Sequence, residues 1–282
     1  RPYHSSCARR DEELKTKMLS SFVFSPPPSF LISTITLLGA FSGPVAGCLE
    51  AMGTNLRYSK FWTSAGGHSD RKINNLPSRA GMLLAYTPAF VAAAASFWLL
   101  PNGGGITRIL LLQSSLALHF FKRIVEVIFV HKFSGYMEVN SAILISLTYL
   151  LSTCAFLYAQ SFTPQLPAPA LDLRLPGVIL FLIGVAGNFY HHILLASLRG
   201  KGEKEYKIPR GGLFGVIICP HYLFEILDFV GISLISQTLY GFAIVSSMVF
   251  YLMGRSYSTR RWYAAKFDDF PVHVKSLIPY VF

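Results

Sequence analysis

Residues 206–225 read YKIPRGGLFGVIICPHYLFE. A basic loop with Lys207 and Arg210 meets the pair Gly211-Gly212 and passes into an apolar run carrying His221, Tyr222 and Glu225. Two glycines between a basic and an apolar stretch mark a turn into a helix. Helical spacing puts His221, Tyr222, Glu225 and Asp228 on one face, about two turns into a predicted span over 214–235. Ionisable groups are costly in hydrocarbon, so a phenol, an imidazole and carboxylates inside a span mark a functional site by default. A polar patch that joins helices is the competing reading.

The rest of the chain agrees with a membrane setting. Of its 282 residues, 52% are hydrophobic and only 14% charged, and the mean hydropathy is +0.45. Soluble domains carry roughly 25% charged residues. A span needs about 20 mostly apolar residues. Seven stretches qualify, over 30–50, 81–100, 108–130, 140–160, 176–197, 214–235 and 239–256. The expectation is an all-α polytopic membrane protein with about seven transmembrane helices.

The net charge is +11, and the basic residues between the spans cluster in alternate loops. Arg57, Lys60, Arg71, Lys72 and Arg79 follow the first span, Lys132 the third and Arg199 to Arg210 the fifth; Arg255 to Lys275 form the tail. The loops at 101–107 and 236–238 are uncharged, and the Pro-rich 161–175 has only Arg174 as a basic residue. The positive-inside rule then puts the C-terminus in the cytosol and the N-terminus in the lumen. This charge distribution fits topology and anionic ligands, not nucleic acid. Residues 1–17 are polar and precede Met18, and they are read as an extension outside a single membrane domain at 18–282. Cys7, Cys48, Cys154 and Cys219 form no CxxC pair, which argues against a disulfide framework or a zinc site. The oligomeric state is not legible.

Several clusters are candidates for chemistry. Asn188, His192 and Arg199 share a helical face at the end of the fifth span. The pair His191-His192 invites a metal, but His119, His131 and His221 lie scattered on other helices and no repeated histidine box is present, so no metal is expected. In the third span Lys122 and Glu126 pair at i,i+4, leaving Arg123 on another face as the better contact for an anionic ligand. The loop 199–210 can grip phosphates, and Arg255, Tyr263 and Lys266 can close over a nucleotide with Trp262 or Tyr263 stacked on its base. Each basic group has a plainer reading as a topology signal or an interfacial anchor. No GxGxxG follows a strand, so a Rossmann domain is not indicated.

These segments together resemble the steroid 5α-reductase superfamily, which includes steroid 5α-reductases, very-long-chain trans-2-enoyl-CoA reductases and polyprenol reductases. GNFYHHILLASLR (187–199), EYKIPRGGLF (205–214), CPHYLFE (219–225) and KFDDFPVHVKSLIPYVF (266–282) carry the resemblance, most of it within 130–282. Upstream it thins to RAGMLLAYTP (79–88) and HFFKRIVEVIFVHKFS (119–134), the latter nearest the enoyl-CoA reductase branch. The resemblance implies a multi-pass reductase of the endoplasmic reticulum membrane, in lipid metabolism such as fatty acid elongation. It would use NADPH to reduce a carbon–carbon double bond in a bilayer lipid. It further implies cofactor contacts at Asn188, Arg199, Tyr206, Lys207, His221, Glu225, Arg255 and Tyr263, and Tyr222 as proton donor beside Glu225. His221 stands where the steroid and enoyl-CoA branches have asparagine and the polyprenol branch histidine. Steroid reductases polarise a 3-keto group with a second-helix glutamate and a third-helix tyrosine, positions read here as Tyr86 and Phe120. Tyr86 is thus expected to join Tyr222 and Glu225 as a catalytic residue, with Phe120 and Arg123 against the substrate. Phe120 has no donor, so a linear α,β-unsaturated lipid is favoured over a steroid. The alternatives are a steroid or polyprenol reductase, a membrane methyltransferase, or a non-catalytic lipid-binding relative.

Overall fold

A computed structural model describes residues 20–61, 74–100, 107–133, 135–200, 203 and 205–282. The extension at 1–17, the uncharged residues 101–106, and Arg71, Lys72, Lys201 and Lys204 lie outside them. Among the described residues, long apolar runs produce seven long helices: α1 Phe30–Ala51, α2 Ser78–Leu99, α3 Arg108–Val125, α4 Val139–Ser161, α5 Arg174–Ser197, α6 Pro220–Ser236 and α7 Leu239–Lys266. The side chains of Ser29, Thr107 and Thr238 accept from the first-turn amides of α1, α3 and α7, which satisfies donors that a helix start leaves unpaired.

Four helical segments are long and apolar enough to cross a membrane: α1, α2, Val139–Gln165 (α4 with its short extension) and α5. Their outer faces expose large apolar side chains, among them Phe41 and Leu38 on α1 and Leu147 and Leu151 on α4. An all-α polytopic membrane protein is therefore the architecture. The expected third span divides into α3 and a π-helical turn, Glu126–Val130. The expected span at 214–235 begins late. Gly211 and Gly212 have φ of 85° and 52°, a 3-10 turn follows over Gly212–Gly215, and α6 starts only at Pro220. His221 and Tyr222 thus occupy the first turn of α6, not its second.

Glycines let the helices approach at backbone distance, as membrane packing favours. Gly39, Gly43 and Gly47 recur every four residues on α1, and a Cβ at Gly43 would lie 1.9 Å from the Ser247 carbonyl oxygen of α7. A Cβ at Gly184 of α5 would lie 2.3 Å from the Asp228 amide nitrogen of α6.

Loops gather alternately at two ends. At one end, β1 (Asn75–Pro77) pairs antiparallel with β2 (Tyr136–Glu138), Lys132 donates to the Arg199 carbonyl at 2.5 Å, and Ile217 bridges Lys275. At the other, the Gln237 side chain donates to the carbonyls of Phe22 and Leu171 and accepts from Arg108 and the Leu173 amide. The described basic loops share the first end, and the candidate site residues lie toward it.

Candidate active site

The α5–α6 contact builds one wall. His191 donates through Nδ1 to the Gly187 carbonyl (2.7 Å) and accepts at Nε2 from the Leu213 amide (3.2 Å). This fixes a neutral tautomer by the bonding pattern and pins the lead-in to α6. A side chain at Gly212 would meet that Nε2 at 2.7 Å. Asn188 donates to the His221 carbonyl at 2.8 Å and accepts from Lys122.

A buried charge cluster fills the space between α3 and α5. Glu126 accepts from Lys122 at 3.1 Å and Arg123 at 2.7 Å, and lies 3.0 Å from His192 Nδ1. Arg123 also donates to the Tyr86 hydroxyl at 2.5 Å. The expectation that Arg123 faces away from the Lys122–Glu126 pair is therefore corrected. A glutamate at i+3 is in reach of an arginine as one at i+4 is of a lysine, and both terminal nitrogens of Arg123 are engaged inside the protein. Glu225, 5% exposed, lies within electrostatic reach of Arg123, Tyr86 and Tyr222. Lys122 and Arg123 pair with Glu126 inside the protein, as buried charges must. Deeper in, His119 Nδ1 meets Asp228 at 2.7 Å, which joins α3 to α6.

Tyr222 is half-exposed although it sits among helices, and Arg255, Tyr58 and Glu225 act on it electrostatically. Among the described residues its hydroxyl and the Glu225 carboxylate make no hydrogen bond. Behind Tyr222, one Arg255 nitrogen donates to both Glu50 oxygens at 2.9 Å, and the guanidinium lies between the rings of Tyr58 and Phe61 at 4.3 and 4.2 Å.

A third group forms the rim. Arg199 stacks on Tyr206 at 4.5 Å, Tyr206 meets Trp262 at 4.9 Å, and Trp262 meets Tyr263 at 5.0 Å. Lys60 stands 5.6 Å over Tyr263. Burial pushes the Lys60 ammonium down to about 8, with Arg255 adding to the effect. Lys207 lies apart, exposed and paired with Glu203 at 2.6 Å.

The structure thus brings together Tyr86, Phe120, Arg123, Asn188, His221, Tyr222 and Glu225 in the interior and Arg199, Tyr206 and Tyr263 at the rim, with Arg255 beside Tyr222. Asn188 and His192 share a face as expected, whereas Arg199 leaves it. Residues that the sequence reading passed over are Glu50, Tyr58 and Tyr149; only the costliness of Glu50 near the end of a span signalled one of them. Glu126, His131 and His192 set three donor atoms within 4.8 Å of one another. Lys122 and Arg123 already occupy that carboxylate, so a metal cation there would meet two positive charges.

Residues 140–282 match the family model described as 3-oxo-5-alpha-steroid 4-dehydrogenase. The chain belongs to this family, and so to the steroid 5-alpha-reductase superfamily. Among its relatives, a very-long-chain enoyl-CoA reductase of Dictyostelium discoideum is 37% identical over 173 residues, 58% of this chain and 55% of the relative. The 3-oxo-5-alpha-steroid 4-dehydrogenase 1 of Rattus norvegicus is 32% identical over 210 residues, 74% of this chain and 70% of the relative. A steroid 5-alpha-reductase of Gossypium hirsutum is 37% identical over 109 residues, 38% and 42% of the two chains. The chain thus spans about half the length of the first and third of these relatives.

Proposed function

We propose that this chain is an NADPH-dependent reductase of a carbon–carbon double bond conjugated to a carbonyl in a membrane lipid. The favoured substrate is an enoyl thioester or another linear lipid. We further propose seven spans in the endoplasmic reticulum membrane, with the N-terminus luminal and the C-terminus cytosolic. One observation carries the reading: Tyr222 and Glu225, deep in a bundle with an apolar exterior, offer a phenol and a carboxylate that no described side chain claims.

The residues present fit the cofactor. The rim combines cations with flat aromatic rings, as a phosphorylated dinucleotide requires. Among the described residues, His221 Nδ1 is buried without a partner, and the Glu225 carboxylate makes no hydrogen bond that would keep it from accepting from an amide. Arg199, Tyr206 and Tyr263 would hold the outer part, and His221 and Glu225 the inner part. Arg255 and Asn188 are bound into the wall, and their contribution is to shape it. Lys207 would have to leave Glu203 to take part. When bound, NADPH supplies a hydride for the β-carbon of the substrate.

Negative charge then develops on the conjugated carbonyl oxygen, and Tyr222 is placed to give a proton to the enolate. General acids of this kind contribute a factor of about 10²–10⁴. Phe120 offers no donor, which favours a linear lipid over a 3-keto steroid, and the likeness to an enoyl-CoA reductase supports the same choice. The test is NADPH oxidation by the purified protein with trans-2-enoyl-CoA, enone steroid and polyprenal substrates. Turnover is expected with the first, and Tyr222→Phe should lower kcat by about 10²-fold or more. NADPH, and not S-adenosylmethionine, should raise the melting temperature. Absence of turnover on the whole panel would favour a non-catalytic relative.

A further inference from the structure

We propose that Tyr149, on α4, is a further catalytic residue of this site: its phenol donates a hydrogen bond to the substrate carbonyl oxygen on which charge develops. The proposal rests on the reductase reading above. Tyr149 lies on the inward stripe of α4 with Ala142, Ser146, Thr153, Phe156 and Gln160, all of which are buried. Its own side chain is half-exposed. A residue on the inward stripe that still has accessible surface is left partly open by its neighbours. Tyr158 on the same helix shows the contrast, since it faces outward, 39% exposed, against Phe162.

Its neighbours place it at the site. The Tyr149 ring lies 5.5 Å from Tyr86 and 5.5 Å from Phe120, crossing the latter at 67°. Glu225 and Arg123 both act on it electrostatically. Of the three rings that meet here, Phe120 has no donor. Tyr86 accepts from Arg123 at 2.5 Å and keeps its own proton, but at 2% exposure it is closed off in the wall. The Tyr149 hydroxyl makes no hydrogen bond among the described residues. It is therefore the phenol of the three that is free to meet a ligand, with the Arg123 guanidinium near enough to favour developing negative charge.

The step balances without a further reagent. Two electrons enter with the hydride at the β-carbon, the π pair moves onto the carbonyl oxygen, and Tyr149 donates to that oxygen while keeping its proton. The α-carbon takes its proton from Tyr222, and water at the rim restores that phenol. Tyr149 and Tyr222 thereby divide oxyanion stabilisation from proton transfer.

The full chain in nanodiscs, loaded with a long-chain 2,4-dienoyl-CoA, tests this directly. The conjugated chromophore absorbs further to the red when its thioester carbonyl accepts a strong hydrogen bond. The wild-type protein is expected to shift the band, Tyr149→Phe to lose most of the shift, and Tyr158→Phe to keep it. On a trans-2-enoyl-CoA, Tyr149→Phe should lose about 10²–10³-fold in kcat, the usual effect of deleting one oxyanion donor, with KM little changed. Adding Phe120→Tyr to Tyr149→Phe should recover part of both losses. A ring-fluorinated tyrosine at 149 keeps the shape but donates more strongly, and it should enlarge the shift. A normal shift and normal kcat in Tyr149→Phe, or no response to fluorination, would overturn the assignment while leaving the reductase reading intact. A wild-type protein that neither shifts the band nor turns over any member of the panel would overturn both.

Discussion

An ammonium held at about 8 is charged or neutral according to small changes in pH, and Lys60 stands over Tyr263 at the rim in this condition. Cys219, Arg255 and Glu50 are the ionisable groups that act on it. The sign follows from burial. The charged form is disfavoured in the free protein, and a bound anion favours it, so phosphate binding near pH 8 draws in a proton. NADPH should therefore bind several-fold more weakly at pH 9 than at pH 7. Lys60→Met should bind weakly at both and flatten the profile, as read by titration calorimetry in two buffers of different ionisation enthalpy. At this scale the sequence was only partly informative. Tyr222 and Glu225 stood out because a polar residue in an apolar run is conspicuous. Tyr149 did not, since a tyrosine in LTYLLST has nothing nearby in sequence to mark it. The Arg255–Glu50 pair joins α7 to α1, and no local spacing reveals such a contact.

Among the elements, the apolar runs predicted five of the seven long helices within a few residues, because hydropathy dominates where a span is continuous, whereas α7 continues ten residues past the expected end at 256, to Lys266. The start of α6 escaped. The run 213–219 is apolar enough for a span, but Gly211 and Gly212 with positive φ, and Pro220 at the helix start, outweigh apolarity in deciding where the helix begins. The resulting extended lead-in lets Ile217 pair with Lys275 and leaves His221 and Tyr222 at the helix mouth. Packing between elements is sharper still. Because a Cβ at Gly184 would collide with the backbone of Asp228, Gly184→Ala should separate α5 from α6, costing about 1–3 kcal/mol by overpacking. It should lower the melting temperature, and NADPH affinity should fall with it as Asn188 and His221 part. Gly215, with no atom within 4 Å of an added Cβ, should tolerate alanine in the same assay.

For the whole molecule, charge carried more information than fold. Loops that alternate in basicity along the chain do gather at two ends, and the Gln237 clasp at one and the β1–β2 clip at the other show the alternation directly. Which end faces the cytosol follows from the proposed topology and can be measured. In microsomes, with Cys7, Cys48 and Cys154 replaced by serine, Lys207→Cys should react with an impermeant maleimide in intact vesicles. Ala170→Cys, exposed in the Pro-rich loop at the other end, should react only after permeabilisation. Equal labelling of both positions would reject the orientation.

The parallel bridge between Ile217 and Lys275 also has a consequence in time. The Ile218 amide donates to the Lys275 carbonyl and the Lys275 amide to the Val216 carbonyl, both at 2.8 Å, and Val274 and Leu277 pack on Ile218 and Cys219. The lead-in to α6 therefore leaves the ribosome well before its partner exists. At about 5–20 residues per second the delay is on the order of seconds. During it α5 and α6 can already pack through their glycines while Tyr222 has no settled position. A nascent chain arrested before Lys275 would be inserted and helical, yet the lead-in to α6 would still lack its partner strand.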